Sequence, residues 1–167
     1  MTRLITLLSA AAISALGFAG ATSAAATLPF NVSMTVDAQT LPGGCCSTST
    51  ASVPTSVVVP GIGRATLTAR LFVCGVTYCF PNGSSLLSLR FDTPSGDTLL
   101  IFGTGPGSLA VPESAGTWSV SSASTGRFAR ASGAGTYTAS VIVTGPGSGG
   151  PAPSELTFSL TGTITRR

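Results

Sequence analysis

From Leu28 onward, apolar and polar residues alternate with a period of two in run after run, and turn-forming residues separate the runs. The first run, Leu28 to Asp37, sends Phe30, Val32, Met34 and Val36 to one face and Asn31, Ser33, Thr35 and Asp37 to the other. Arg64 to Val73 repeats the pattern, with Ala65, Leu67, Ala69, Leu71 and Val73 against Thr66, Thr68, Arg70 and Phe72. Phe72 on the polar face predicts that something covers this strand. Pro81-Asn82-Gly83-Ser84 is a turn signal, after which Leu87, Leu89 and Phe91 alternate with Ser88, Arg90 and Asp92. Pro94-Ser95-Gly96 turns the chain again into the apolar run Thr98 to Phe102, so Ser85 to Phe102 reads as a hairpin. Three further strands follow, one carrying Trp118, one carrying Tyr137, Ala139, Val141 and Val143, and a last one carrying Leu156, Phe158, Leu160 and Ile164. Gly162 in that last strand predicts a bend or a close neighbour.

Two stretches read less regularly. Val53 to Val59 is β-branched, but Pro54 and Pro60 confine it to a short or edge strand. Ala38 to Thr50, broken by Leu41-Pro42-Gly43-Gly44, reads as a loop. The pentapeptide Thr-Gly-Pro-Gly-Ser occurs at Thr104 to Ser108 and at Thr144 to Ser148, each time after an apolar strand, and reads as two similar loops. The sum is about eight strands and no helix, the pattern of an antiparallel β-barrel or, alternatively, a β-sandwich.

Between the Trp118 and Tyr137 strands the chain reads as a corner. Gly126, Gly133 and Gly135 are free to take positive φ, and two sharp turns would drive Phe128 into the core. Thr125-Gly126-Arg127-Phe128-Ala129, Ala131-Ser132-Gly133 and Gly135-Thr136-Tyr137 resemble the G-T-G-R-F-A-G-A-x-G-x-G-T element of small secreted bacterial β-proteins. More distantly, they resemble the same element in plant dirigent proteins and allene oxide cyclases. Ser124 and Arg130 depart from that pattern, each standing where it has Gly. The resemblance covers roughly the last third of the chain and implies an eight-stranded antiparallel barrel that can hold a small apolar ligand and guide its reaction by shape. No position matches a catalytic motif of those enzymes, so no catalytic residue carries over.

The first 26 residues have the form of a signal peptide: Arg3, the apolar run Leu4 to Ala19, and Ala24-Ala25-Ala26 as a cleavage site. That predicts a secreted domain from Thr27 to Arg167. In such a domain Cys45, Cys46, Cys74 and Cys79 read as disulfides, and two arrangements stay open. Cys45 with Cys46 would form a strained vicinal ring and leave Cys74 with Cys79. Alternatively, Cys45 and Cys46 are tied separately to Cys74 and Cys79, which is the expected arrangement. Adjacent cysteines lack the spacer that lets two thiolates meet one zinc ion, so no metal is expected there.

Charge narrows the chemistry further. The chain has eight arginines, no Lys, no His and five acids. A serine nucleophile therefore has no customary base, and the balance leans against an enzyme and implies no cofactor. Asp92 and Asp97 flank one turn and are candidates for a calcium clamp or an acid pair, against the plainer reading of turn caps with Arg90 as partner. Arg127 and Arg130 beside Phe128 suggest a nucleic-acid grip, but so small and scattered an excess makes no nucleic-acid surface. Asn31-Val32-Ser33 and Asn82-Gly83-Ser84 match the glycosylation sequon. With inward positions almost wholly apolar, the core is expected to be filled. Binding to an extracellular polymer or protein is then expected at the exposed Thr and Ser faces or the long loops, with a small apolar ligand as the alternative.

Overall fold

The computed structural model describes residues 25–43, 46–75, 83–108, 113–146 and 150–166. Nine strands follow in order: β1 (Ala26–Gly43), β2 (Cys46–Ala51), β3 (Thr55–Val59), β4 (Gly63–Cys74), β5 (Ser84–Asp92), β6 (Thr98–Gly105), β7 (Glu113–Val120), β8 (Ser132–Val143) and β9 (Ala152–Arg166). One 3₁₀ turn, Gly126–Phe128, lies between β7 and β8. All pairings are antiparallel. Eight strands close into a barrel in the order β1-β9-β8-β7-β6-β5-β4-β2, and β3 lies outside it. The Trp118 and Tyr137 strands are neighbours in this one sheet, so the sandwich alternative falls away.

The ladder registers give the stagger of the barrel. Starting at Phe30 and stepping through the directly paired residues Gly162, Gly135, Trp118, Gly103, Leu87, Leu71 and Ser49, the path returns to β1 at Thr40, ten residues further on. With ordinary strand rise and spacing, that stagger tilts the strands by about 40° and gives an interior that side chains can fill. One end of the barrel carries the turns Pro60–Ile62 and Thr93–Asp97 and the corner after β7; the other carries the connections after β1, β4, β6 and β8. We call these the corner end and the loop end.

The stretch read as a loop from Ala38 to Thr50 is instead a hairpin. β1 runs on to Gly43 and pairs with β2, which tolerates Pro42 because β9 reaches β1 only as far as Thr40 and leaves that side of the strand free. β3 is the edge strand its prolines demand. Residues 51–54 oppose only two residues of β4, because the ladder runs Thr50↔Arg70 and then Thr55↔Leu67. Pro54 has no N–H to continue the pairing, so the chain bulges there and β3 leaves the wall.

The expected inward sets hold in β1, β4, β5 and β9. Leu67, Ala69, Leu87, Leu89, Phe91, Leu99, Ile101 and Leu156 are wholly buried. Ala69 exposes no surface at all, so no space large enough for water adjoins it. Phe30 packs edge-on against Phe91 and Trp118, with ring centroids 6.4 and 5.4 Å away. The cover expected for Phe72 comes from the barrel's own outer face: it is half-buried between its ladder partners Thr48 and Leu86. Among the described residues no helix is long and apolar enough to cross a membrane.

Candidate functional site

The corner is built around Asp97 and Gly126. Gly126 has φ +59°, and a methyl group in place of its hydrogen would collide with the Asp97 carboxylate. That carboxylate accepts hydrogen bonds from Ser95 Oγ (2.7 Å) and the Arg127 amide (3.2 Å), with Arg127 Nε 3.5 Å away. Arg127 also donates to the Ile62 carbonyl, and its guanidinium lies 4.9 Å from the Phe128 ring centre. Phe128 itself is buried and closes the corner end, as the sequence predicts. Gly133 and Gly135 play another part than the one expected. They lie within β8 with no positive φ. Gly135 is directly paired with both Trp118 and Gly162, and an added carbon at either glycine would fall 2.7 Å from the indole. The bareness of Gly135 and Gly162 makes room for Trp118.

Asp92 and Asp97 are turned to different partners and form no acid pair. Arg90 Nε donates to both Asp92 oxygens, at 2.7 and 3.0 Å, and Thr98 donates its hydroxyl at 2.6 Å. The hydrogen bond from Arg90 holds the Asp92 carboxyl below its usual range, and the hydrogen bond from Ser95 does the same for Asp97. Among the described residues no three His, Cys, Asp or Glu groups converge on a metal position. Both carboxylates act as caps of the hairpin and the corner.

The interior departs from the expected apolar lining at the loop end. Thr40, Ser49, Ser85, Ser114 and Ser154 face inward and are buried there. Thr40 Oγ1 lies 2.8 Å from both Ser49 Oγ and Ser154 Oγ. Ser85 Oγ donates to the Pro106 carbonyl (3.0 Å) and lies 2.8 Å from the Tyr137 hydroxyl. Burial raises the Tyr137 pKa, the Ser85 contact opposing it. Strand parity carried this signal: Thr40 continues the inward even positions of β1, and Ser85 precedes Leu87 and Leu89 by the same step of two.

The outer face of β1, β9 and β8 is a field of hydroxyls. Three cross-strand pairs join Thr27 to Thr165 (2.7 Å), Ser33 to Ser159 (2.8 Å) and Thr35 to Thr157 (2.8 Å). Beside them, Thr138, Ser140, Thr157, Ser159 and Glu113 border a shallow groove of about 190 Å³. Asn31 of the first sequon is exposed on this face, while Asn82 lies outside the described residues.

Cys46 and Cys74 are directly paired across the β2–β4 ladder and joined by a disulfide, which excludes both the vicinal ring and its companion Cys74–Cys79 link. Cys45 and Cys79 lie outside the described residues. The bond spans the ladder that closes the barrel. No family model, curated protein or solved structure matches the chain or its fold.

Proposed function

We propose that this chain is a secreted, non-catalytic barrel that binds an extracellular polymer through the hydroxyl face of β1, β9 and β8. The groove beside that face carries the reading: four hydroxyls and the Glu113 carboxylate stand on its rim with no arginine in its lining. Such a surface offers donors and acceptors to another hydroxyl-rich chain at little desolvation cost. Asp92 and Asp97, the carboxylates considered for catalysis, are engaged by Arg90, Arg127 and the turn hydroxyls. The signal-like first 26 residues and the Cys46–Cys74 bond fit an oxidising destination.

The test is co-sedimentation with insoluble neutral polysaccharides, comparing the wild type with Thr138→Val/Thr157→Val/Ser159→Ala. Binding by the wild type and its loss in the variant is the expected result. Equal binding by both, or turnover of any substrate by the purified domain, would sink the reading. Intact mass of the exported protein checks the other half, with a first residue near Thr27 expected.

The buried hydroxyls of the loop end favour a second reading, a small ligand held at the barrel mouth, in keeping with the likeness to dirigent proteins and cyclases. A few converging polar groups above an apolar interior are what such a site requires. Quenching of Trp118 fluorescence by apolar phenols, weakened by Tyr137→Phe, would favour it over the outer face.

A further inference from the structure

The arginines are scattered along the chain, and the fold gathers them. Of the six in the described residues, Arg64, Arg90, Arg127, Arg130 and Arg166 lie in the half of the barrel nearer the corner end, with Arg70 nearer its middle. That half also holds Asp92 and Asp97, which pair with Arg90 and Arg127. Arg64, Arg130 and Arg166 are left, each at least partly exposed and without a carboxylate partner among the described residues. The remaining acids, Asp37, Glu113 and Glu155, all lie toward the loop end. Among the described residues the charge is thus separated along the barrel axis, with an excess of three positive charges at the corner end.

An apolar tip accompanies the basic end. Val58 is 74 % exposed, sits directly opposite Arg64 on the β3–β4 ladder, and lies two residues before the Pro60–Ile62 turn. Pro60, Leu28 and Pro29 border a cleft that Arg166 also lines. Exposed apolar groups next to arginines gain nothing from a hydrophilic polyanion, whereas at a membrane they enter the headgroup layer while the guanidinium groups meet phosphate.

We propose that the corner end docks on an anionic phospholipid surface. The axial dipole orients the barrel on approach, and Arg64, Arg130 and Arg166 contact headgroups while Val58 and Pro60 enter between them. Docking in this pose leaves the loop end pointing away from the membrane. Each basic side chain near such a surface contributes about fivefold to partitioning, so the three arginines together contribute on the order of a hundredfold.

The experiment is vesicle co-sedimentation with purified protein whose first residue has been established by intact mass. Vesicles of phosphatidylcholine alone are compared with vesicles containing phosphatidylglycerol. The wild type is expected to partition to the anionic vesicles and to be released by salt. Arg64→Gln/Arg130→Gln/Arg166→Gln should lose about a hundredfold. Should that variant misfold by circular dichroism, the single Gln variants are expected to lose about fivefold each. Val58→Ser should weaken partitioning, and Asp37→Asn/Glu113→Gln/Glu155→Gln, which raises net charge at the other end, should stay within about twofold. Equal binding to phosphatidylcholine, no effect of the arginine changes, or a gain in the acid-neutral variant as large as the arginine loss would overturn the proposal. So would binding to polyphosphate or an oligonucleotide as tight as to vesicles and unaffected by Val58→Ser.

Discussion

At Gly162 a single added methyl would meet the Trp118 ring at 2.7 Å and the backbone of β8 closer still. The neighbouring wall is strand rather than flexible side chain, so the collision cannot be relieved by a rotamer change. Gly162→Ala is expected to destabilise by roughly 2 kcal/mol in urea unfolding, with loss of the native Trp118 near-ultraviolet signal. Asp97 gives a second test at this scale. Its folded-state pKa lies below the unfolded one because the charged form accepts from Ser95 and the Arg127 amide. A depressed carboxylate contributes stability that is present above the unfolded value and lost as pH falls through the folded one. The stability gap between wild type and Asp97→Asn should therefore be steady near neutrality and shrink below about pH 4. A gap unchanged at low pH would mean that the carboxylate's charge does not hold the corner.

Between elements, the seam that closes the barrel is one of its two short joints. β1 and β9 share fifteen paired residues, whereas β6 meets β7 over four and β2 meets β4 over five, and β3 beyond the bulge meets only β4. The Cys46–Cys74 bond sits at the end of that short ladder, with a sequence separation of 28. Cys46→Ser/Cys74→Ser should lower stability by about 3 kcal/mol, and hydrogen exchange should rise first in β2 and at the end of β4. Uniform protection loss would show that the seam is not the first part to open. Inside the same region Thr40 links β1 to both β2 and β9 through hydroxyls. Thr40→Val strands two buried serines and is expected to cost roughly 2 kcal/mol, while Thr35→Val on the exposed face costs only a few tenths.

Over the whole molecule, the first and last strands are partners, Ala26 lying opposite Arg166. The barrel therefore cannot close until β9 is in place, and its ladders join residues far apart in sequence. Refolding with the disulfide intact should take milliseconds to seconds rather than microseconds, as measured by stopped-flow Trp118 fluorescence. A chain ending at Pro151, lacking β9, should show no cooperative unfolding. The axial separation of charge belongs to this scale too, since it follows from which strand ends share a rim.

Period-two alternation determined most of the strands, the inward faces of β1, β4, β5 and β9 and the hairpin from Ser85 to Phe102, because side-chain direction in a strand depends on local parity alone. Proline placement determined that Val53 to Val59 lies at an edge, because a missing N–H is missing in any fold. The extended hairpin of β1 and β2 was hidden by Pro42 and Gly43, residues that mark turns in most settings but are harmless on an unpaired strand edge. Which cysteine meets Cys74, which glycines turn the chain and which make room for Trp118, and where the arginines collect were decided by tertiary structure. Each depends on register around a closed ring. A stagger of ten residues brings Cys46 opposite Cys74, lays Gly135 and Gly162 under one indole, and gathers arginines from three strands and a corner at one rim. No local pattern encodes that stagger, because it is fixed only when the last ladder meets the first.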